Sequence, residues 1–329
     1  MNGVGEMYMH VAEDLTVYPI IVPTKSSLRS YNFFLVEVLN TYILVDAGEN
    51  SPDCWEALCD VLAENGVELS QIEAIFLTHS HADHIGLVNR IVARHPIPIY
   101  AHPNAIKSLR RDEMFLKDRI TNLQKTYEEM GAGEEVDKEV SRLYKALEKN
   151  RDEAVLERIH FLREGDSFFG FRVLELFGHT QDHIALYDET SGTLLSGDHL
   201  LKRMTTNALL DFDKEGERVD ALSMYENSLQ RIKRIPLRIV YPGHGACITD
   251  PYAEINSHLR KINKQAKRML EYVRTETTVA HVAKEMYSTR YEQLFPLVMS
   301  LVIGHFDRLE RLGRVKKRLV DRIYYYRRM

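Results

Sequence analysis

Short apolar runs separated by polar turns fill residues 15–104. Ile20-Ile21-Val22-Pro23 has the length and β-branched content of a strand, and 97–102 reads the same way. The runs 31–38 and 42–46 predict a hairpin that turns at Leu39-Asn40-Thr41. A helix is predicted over 53–65, with Trp55, Leu58, Val61 and Leu62 on one face. Over residues 105–160 the apolar period lengthens to three or four. Leu116, Ile120, Leu123 and Tyr127 form one stripe, and Val136, Val140, Leu143 and Leu147 a second. The segment is rich in Lys, Arg and Glu, has no proline, and carries glycine only at Gly131 and Gly133, so it predicts two helices with a turn there. Residues 161–250 return to a strand-rich pattern, with Leu209-Leu210-Asp211-Phe212-Asp213 as a loop. After Pro251 the pattern is helical again. Ile255, Leu259, Ile262, Ala266, Met269 and Val273 line one stripe over 252–275. Helices over 280–287 and 295–313 and a β wing over 315–326 complete the chain.

This alternation gives an α/β class, and 329 residues exceed the usual size of one domain. The expected division is 1–250 as a strand-rich domain with a helical insertion at 105–160, and 251–329 as a second domain. A hydrophobic fraction of 44% can build a full core, and a net charge of −5 provides no global field to recruit nucleic acid or acidic membranes. Cys54, Cys59 and Cys247 make an odd count without CxxC spacing, which points to a reducing compartment, and so to a cytoplasmic protein, over a disulfide framework. Cys247 follows Gly243-His244 closely and reads as a small buried hydrophobe. Met1-Asn2-Gly3-Val4-Gly5-Glu6 has neither a cationic start nor an apolar core, so no signal peptide is expected. No apolar run approaches the ~20 residues of a membrane span.

The chemistry concentrates where strands end. The apolar run 72–77 leads into Thr78-His79-Ser80-His81-Ala82-Asp83-His84, three imidazoles and a carboxylate within six residues. Imidazole and carboxylate are the usual ligands of zinc and similar divalent metals. Alternate side chains leaving a strand end can enter one cavity, so His79 and His81 face one point and Asp83 and His84 a neighbouring one. Two such points suggest a two-metal site, with metals roughly 3.5–4 Å apart. Three later runs repeat the design: Leu174-Glu175-Leu176-Phe177 into Gly178-His179-Thr180, Thr193-Leu194-Leu195-Ser196 into Gly197-Asp198-His199, and Arg238-Ile239-Val240-Tyr241 into Pro242-Gly243-His244-Gly245. In each, glycine permits a sharp turn and a metal-binding side chain follows.

The order His-x-His-x-Asp-His, Gly-His-Thr, Gly-Asp, Gly-His resembles the metallo-β-lactamase superfamily, especially its glyoxalase II-like hydrolase branch, over about residues 15–250. The resemblance implies a four-layer αββα sandwich with the ligands at one edge, where two sheets meet. It also implies that His79, His81 and His179 hold one metal, that Asp83, His84 and His244 hold the other, and that Asp198 bridges both. Asp46, in Leu44-Val45-Asp46-Ala47-Gly48, matches the family's early strand-end aspartate and is expected to orient a ligand histidine. The chain departs from the branch at Gln181-Asp182, where Pro-Gly is common. His183 is expected to be a hydrogen-bonded core histidine, and His102 a pocket-lining or loop residue. Residues 252–329 resemble the small winged-helix domain of one lactamase-like subfamily that includes endoribonucleases and polyketide thioesterases; Gly304-His305-Phe306-Asp307-Arg308-Leu309-Glu310-Arg311-Leu312-Gly313-Arg314-Val315 fits its last helix and turn.

Two functions remain open at this point. One is a dinuclear hydrolase of a small ester, thioester or lactone, working through a metal-bound hydroxide with Asp83 or Asp198 as general base. The other is an endoribonuclease that cleaves single-stranded RNA with the same hydroxide. In that reading Arg314, Lys316, Lys317, Arg318 and neighbouring tail cations bind phosphates, and Tyr324-Tyr325-Tyr326 stack on bases. The long insertion and the acidic balance favour the first. Two divalent ions per chain are expected, zinc first, with iron or manganese as alternatives. The expected partners are a small acyl substrate, RNA under the second function, no membrane, and a second copy of the chain as a homodimer.

Overall fold

The computed structural model describes residues 9–12 and 15–329. The segment Met1-Asn2-Gly3-Val4-Gly5-Glu6, read above for a signal peptide, lies outside them. Seven strands form the first sheet: β1 (Met9–Ala12), β2 (Leu15–Pro23), β3 (Ser30–Val38), β4 (Thr41–Val45), β5 (Ile72–Phe76), β6 (Ile99–Ala101) and β7 (Ile159–Phe161). β1 to β4 are antiparallel, and β4 to β7 run parallel. The second sheet holds β8 (Ser167–Phe168), β9 (Phe171–Glu175), β10 (Ile184–Asp188), β11 (Thr193–Gly197) and β12 (Ile239–Pro242), in the order β12-β11-β10-β9-β8.

Side-chain alternation explains how the sheets stack. On β3, Phe34, Val36 and Val38 enter a core shared with the second sheet, while Phe33 and Leu35 enter a core on the opposite face. The second sheet divides likewise: Ile184 and Leu186 of β10 point to the shared core, and Ala185 and Tyr187 away from it. Strands apolar on both faces are those covered on both faces. The first sheet's outer face is covered by helix α1 (Pro52–Glu64) through Cys54, Leu58 and Leu62. Ser51 caps α1 by accepting from the Cys54 N–H at 3.3 Å, and Pro52 occupies its first turn.

The insertion folds as two helices, α2 (Glu113–Glu129) and α3 (Glu135–Lys149), turning at 130–134 as the glycines predict. The second sheet's outer face is covered by α4 (Ala221–Ile232) and the first half of α5 (Pro251–Tyr272), which gives the four layers. The sequence pattern read above leaves α4 out. Its stripe of Leu222, Tyr225, Leu229 and Ile232 and its Asp220 cap carry the signal.

Two further helices, α6 (Val279–Tyr287) and α7 (Phe295–Arg311), precede a hairpin of β13 (Val315–Val320) and β14 (Ile323–Arg328). Thr277 exchanges both backbone hydrogen bonds with Tyr326, at 2.9 and 2.7 Å. Ile255, Leu259 and Ile262 of α5 belong to the sandwich, whereas Ala266, Met269 and Val273 belong to the C-terminal core. Tyr127, Met130 and Val136 of the insertion pack in that same C-terminal core with Met299 and Phe306. Among the described residues, no helix is long and apolar enough to cross a membrane.

Candidate metal centre

The strand ends predicted to carry chemistry meet at one edge of the sandwich. β5 delivers His79, His81, Asp83 and His84, β9 leads to His179, β11 to Asp198 and β12 to His244. His79, His81 and His179 bring three ring nitrogens within 4.8 Å of one another, and so do the donor atoms of Asp83, His84 and His244. Asp198 stands between these groups. Its Oδ2 lies 3.5 Å from His179 Nε2 and 3.2 Å from His244 Nε2, and its Oδ1 lies 3.4 Å from His84 Nε2. His244 Nε2 is also 3.5 Å from Asp83 Oδ2.

The chain holds four of the imidazoles by the nitrogen that faces away from the centre. His84 Nδ1 donates to Asp46 Oδ2 at 2.7 Å, His179 Nδ1 to the Asn207 carbonyl at 2.8 Å, and His244 Nδ1 to the Ser30 carbonyl at 2.8 Å. The Thr78 hydroxyl donates to Asp46 Oδ2 at 2.9 Å and accepts from His79 Nδ1 at 3.0 Å. Each of these rings therefore turns a lone pair on Nε2 inward. His81 differs: its Nδ1 points inward, 2.9 Å from His79 Nε2 and 3.2 Å from His179 Nε2. Three lone pairs that close repel one another unless a cation lies among them. On the other side, His84 Nε2, Asp198 Oδ1 and His244 Nε2 are buried without any hydrogen-bond partner. A buried orphan is costly, and three converging ones fit a divalent cation.

Charge states agree with that fit at His79, His81 and Asp198, and not at His84. Burial pulls His79 well below the ordinary histidine value, and burial with neighbouring His179 takes His81 down to about 4. Both are therefore neutral donors at neutral pH. Burial opposes ionisation of Asp198, yet His84 and His244 outweigh it and hold the carboxyl well below its usual range. Burial likewise opposes charge on His84, but Asp46 and Asp198 raise it well above the usual value.

Several residues outside the predicted ligand set build the frame. Asp46 sits in a left-handed conformation, φ 60°, and accepts from the Thr78 N–H at 2.8 Å, so one carboxylate fixes both His84 and the start of the His79 loop. Asp182, at the departure from the family pattern, accepts from the Ser80 N–H at 3.0 Å and braces the same loop. His183 is fully buried and its Nε2 accepts from the Asp198 N–H at 3.1 Å, which makes it a structural histidine that positions Asp198. Asn32, missed in the sequence, donates to the Pro242 and Gly245 carbonyls at 2.9 and 2.8 Å and ties the His244 loop to β3. A lone amide among the apolar side chains of β3 was its available signal. His102 caps a turn by accepting from the Asn104 N–H and contacts Glu175 at 3.1 Å. Cys247 packs against the inter-sheet core, and burial pushes its thiol up to about 11.

The sequence matches the Metallo-beta-lactamase superfamily profile over residues 27–244. The chain belongs to the metallo-beta-lactamase superfamily. A probable metallo-hydrolase, YqjP, of Bacillus subtilis is 33% identical to this superfamily member over 89% of this chain and 92% of its own length. An atrochrysone carboxyl ACP thioesterase of Aspergillus terreus is 22% identical over 76% of this chain and 59% of its own. A metallo-beta-lactamase family protein of Thermus thermophilus has the same fold, with a TM-score of 0.77 and 24% identity, covering 95% of this chain and 98% of the other.

Close backbone approach makes one superfamily glycine here testable. A Cβ on Gly243 falls 2.6 Å from Asp198 Oδ1 and 2.6 Å from the His84 ring, so alanine there pushes on two inward-facing groups. Gly243→Ala is expected to lower metal content and activity by about 10–100-fold, the range seen when ligand support is disturbed. Metal analysis beside a thermal melt checks this: unchanged metal content in a folded variant contradicts the geometry.

Proposed function

We propose that this chain is a dinuclear metal-dependent hydrolase of a small ester, thioester or lactone, of the glyoxalase II-like kind. That it is a hydrolase rests on superfamily membership together with the His/Asp cluster. The observation that carries the dinuclear reading is the pair of three-donor groups on either side of Asp198. In this reading His79, His81 and His179 hold one ion, Asp83, His84 and His244 the other, and Asp198 both. The donor set suits zinc first, with iron or manganese as alternatives. Divalent ions held by these residues would supply Lewis acidity, which polarises a carbonyl and lowers the pKa of a nearby water toward ~7.

The chain's own residues do the rest. Asp198 is buried among His84, His179 and His244, so it serves as a fixed negative charge. The Asp83 side chain is 22% exposed, and its carboxylate reaches solvent at the cleft. It is therefore the better placed of the two to take a proton from the attacking water. The hairpin of α2 and α3 borders the cleft in this account. Arg119 of α2 pairs with Asp211, on the loop whose Asn207 carbonyl holds His179. Gln181 donates to the Phe212 carbonyl of the same loop at 2.8 Å. Changes in the hairpin would then alter substrate preference more than metal content.

The C-terminal helices and hairpin are read as a winged-helix module that packs on the sandwich. Its tail cations are partly neutralised within the chain. Lys317 lies 2.8 Å from Glu310, and Arg318 forms a two-pronged pair with Glu276. That supports small-acyl chemistry over RNA docking, as does similarity to a thioesterase. The test is a panel of acyl-CoA thioesters, lactones and short RNAs, run on the wild type and on an Arg314→Glu/Lys316→Glu variant. Thioester or lactone turnover is expected, and nearly unchanged in the variant. RNA cleavage that is lost in the variant and falls with salt by about 0.7 log units per phosphate contact per decade would make this a nuclease instead.

A further inference from the structure

A cavity of about 320 Å³ lies at the junction of α4, α5, α7 and the loop that follows Asp198. It is separate from the metal centre. Thr206 in its wall faces the back of the Asp198 segment, donating to the Asp198 carbonyl at 2.8 Å. Its volume falls within the range of small-molecule sites, roughly 300–1,000 Å³. The floor is apolar, made by Ala208, Leu222 and Ile262, with Leu301 beside them. Lys261, Lys264 and Arg268 line it from successive turns of α5. None of these three cations has a carboxylate within ion-pair distance among the described residues, and no acidic residue lines the cavity. In a chain of net charge −5 this is a local inversion.

The wall also holds two buried histidines of different standing. His305 lines the cavity, is 1% exposed, and has an Nδ1 without any hydrogen-bond partner. His258, by contrast, is satisfied on both nitrogens, by the Tyr225 hydroxyl at 2.7 Å and the Leu201 carbonyl at 2.9 Å. The Nδ1 of His305 is the one buried polar atom of this wall that the protein leaves without a partner.

We propose that this cavity binds a phosphate monoester carrying a short apolar tail, with the phosphate at Lys261, Lys264 and Arg268 and the tail on Ala208, Leu222 and Ile262. A carboxylate head would be matched by one cation. Three unpaired cations match a phosphate, which carries nearly two charges and three acceptor oxygens at neutral pH. The bound ligand touches Thr206 and so contacts the tether of the Asp198 backbone from behind, without entering the metal centre.

Calorimetric titration of the full, metal-loaded protein with n-hexyl phosphate tests this, with inorganic phosphate and hexanol as controls. Hexyl phosphate is expected to bind at least about tenfold more tightly than either control, because both head and tail contribute. Lys264→Glu/Arg268→Glu changes exposed positions, so the fold and the metal content should persist while the affinity falls at least about tenfold. Leu301→Trp, which fills the cavity, should do the same at unchanged charge. Three results would overturn the proposal: no binding of hexyl phosphate, binding equal to that of a control, or binding that survives both variants and so resides at the metals.

Discussion

Asp198→Ala is expected to lower hydrolytic activity by about 1,000-fold or more, since several kcal/mol of charge stabilisation depend on the ions it is proposed to join and each ~1.4 kcal/mol is tenfold in rate. Among the described residues, the carboxylate is the one group that approaches His84, His179 and His244 together. Without it, His244 loses the charge that offsets its burial, His84 keeps only Asp46, and the two three-donor groups lose the carboxylate that stands between them. Bound metal should fall with activity. Asp198→Asn, which keeps the shape but only one oxygen acceptor, should fall between the wild type and alanine. Full activity and full metal content in Asp198→Ala would dismiss the bridging role.

The second large effect concerns stability. Arg308 on α7 forms a two-pronged pair with Glu226 on α4, at 2.8 and 2.9 Å, and also donates to Asn263. Arg308 is 8% exposed, and the pair fastens the C-terminal core to the sandwich. Removing one partner strands a buried charge, so Glu226→Ala should cost about 3 kcal/mol. For a chain of this size that is a fall of about 5–10 °C in Tm. Hydrogen bonding to Arg308 lowers the folded pKa of Glu226. Its stabilisation is therefore full above the ordinary carboxylate range and is lost as pH falls through the depressed folded value. Melts from pH 7 to pH 3 should show wild type and Glu226→Gln converging at the acid end. A constant gap across that range would contradict the linkage. The double change Arg308→Met/Glu226→Leu should recover much of the loss, because an apolar pair leaves no charge stranded.

The strand ends that carry the His/Asp cluster were legible because their pattern is local: an apolar run, a glycine turn, then His or Asp. The helical stripes of α2, α3, α5 and α7 were legible for the same reason, and the ends of α5 and α7 to within a few residues. What covers each stripe was not, because that depends on contacts far apart in sequence. Tyr127 and Val136 meet Phe306 and Met299 across more than a hundred residues, so a hairpin read as an insertion of the first domain shares its core with the chain's C-terminal end. The frame of the site was partly hidden too. Asp46 could be placed by resemblance, but the holds on His179 and His244 come from the backbone carbonyls of Asn207 and Ser30, which leave no mark on residue type. The departure at Gln181-Asp182 could be seen but not interpreted, until Asp182 was found bracing Ser80.

The proposed function is that of a two-metal centre that hydrolyses a small acyl substrate. Titrating metal-stripped protein with zinc while following hydrolysis of an acyl thioester tests it most directly. Activity is expected to rise until two equivalents are bound and then level off, with Asp198→Ala flat throughout. Full activity at a single equivalent, or no acyl hydrolysis beside metal-dependent RNA cleavage, would contradict it.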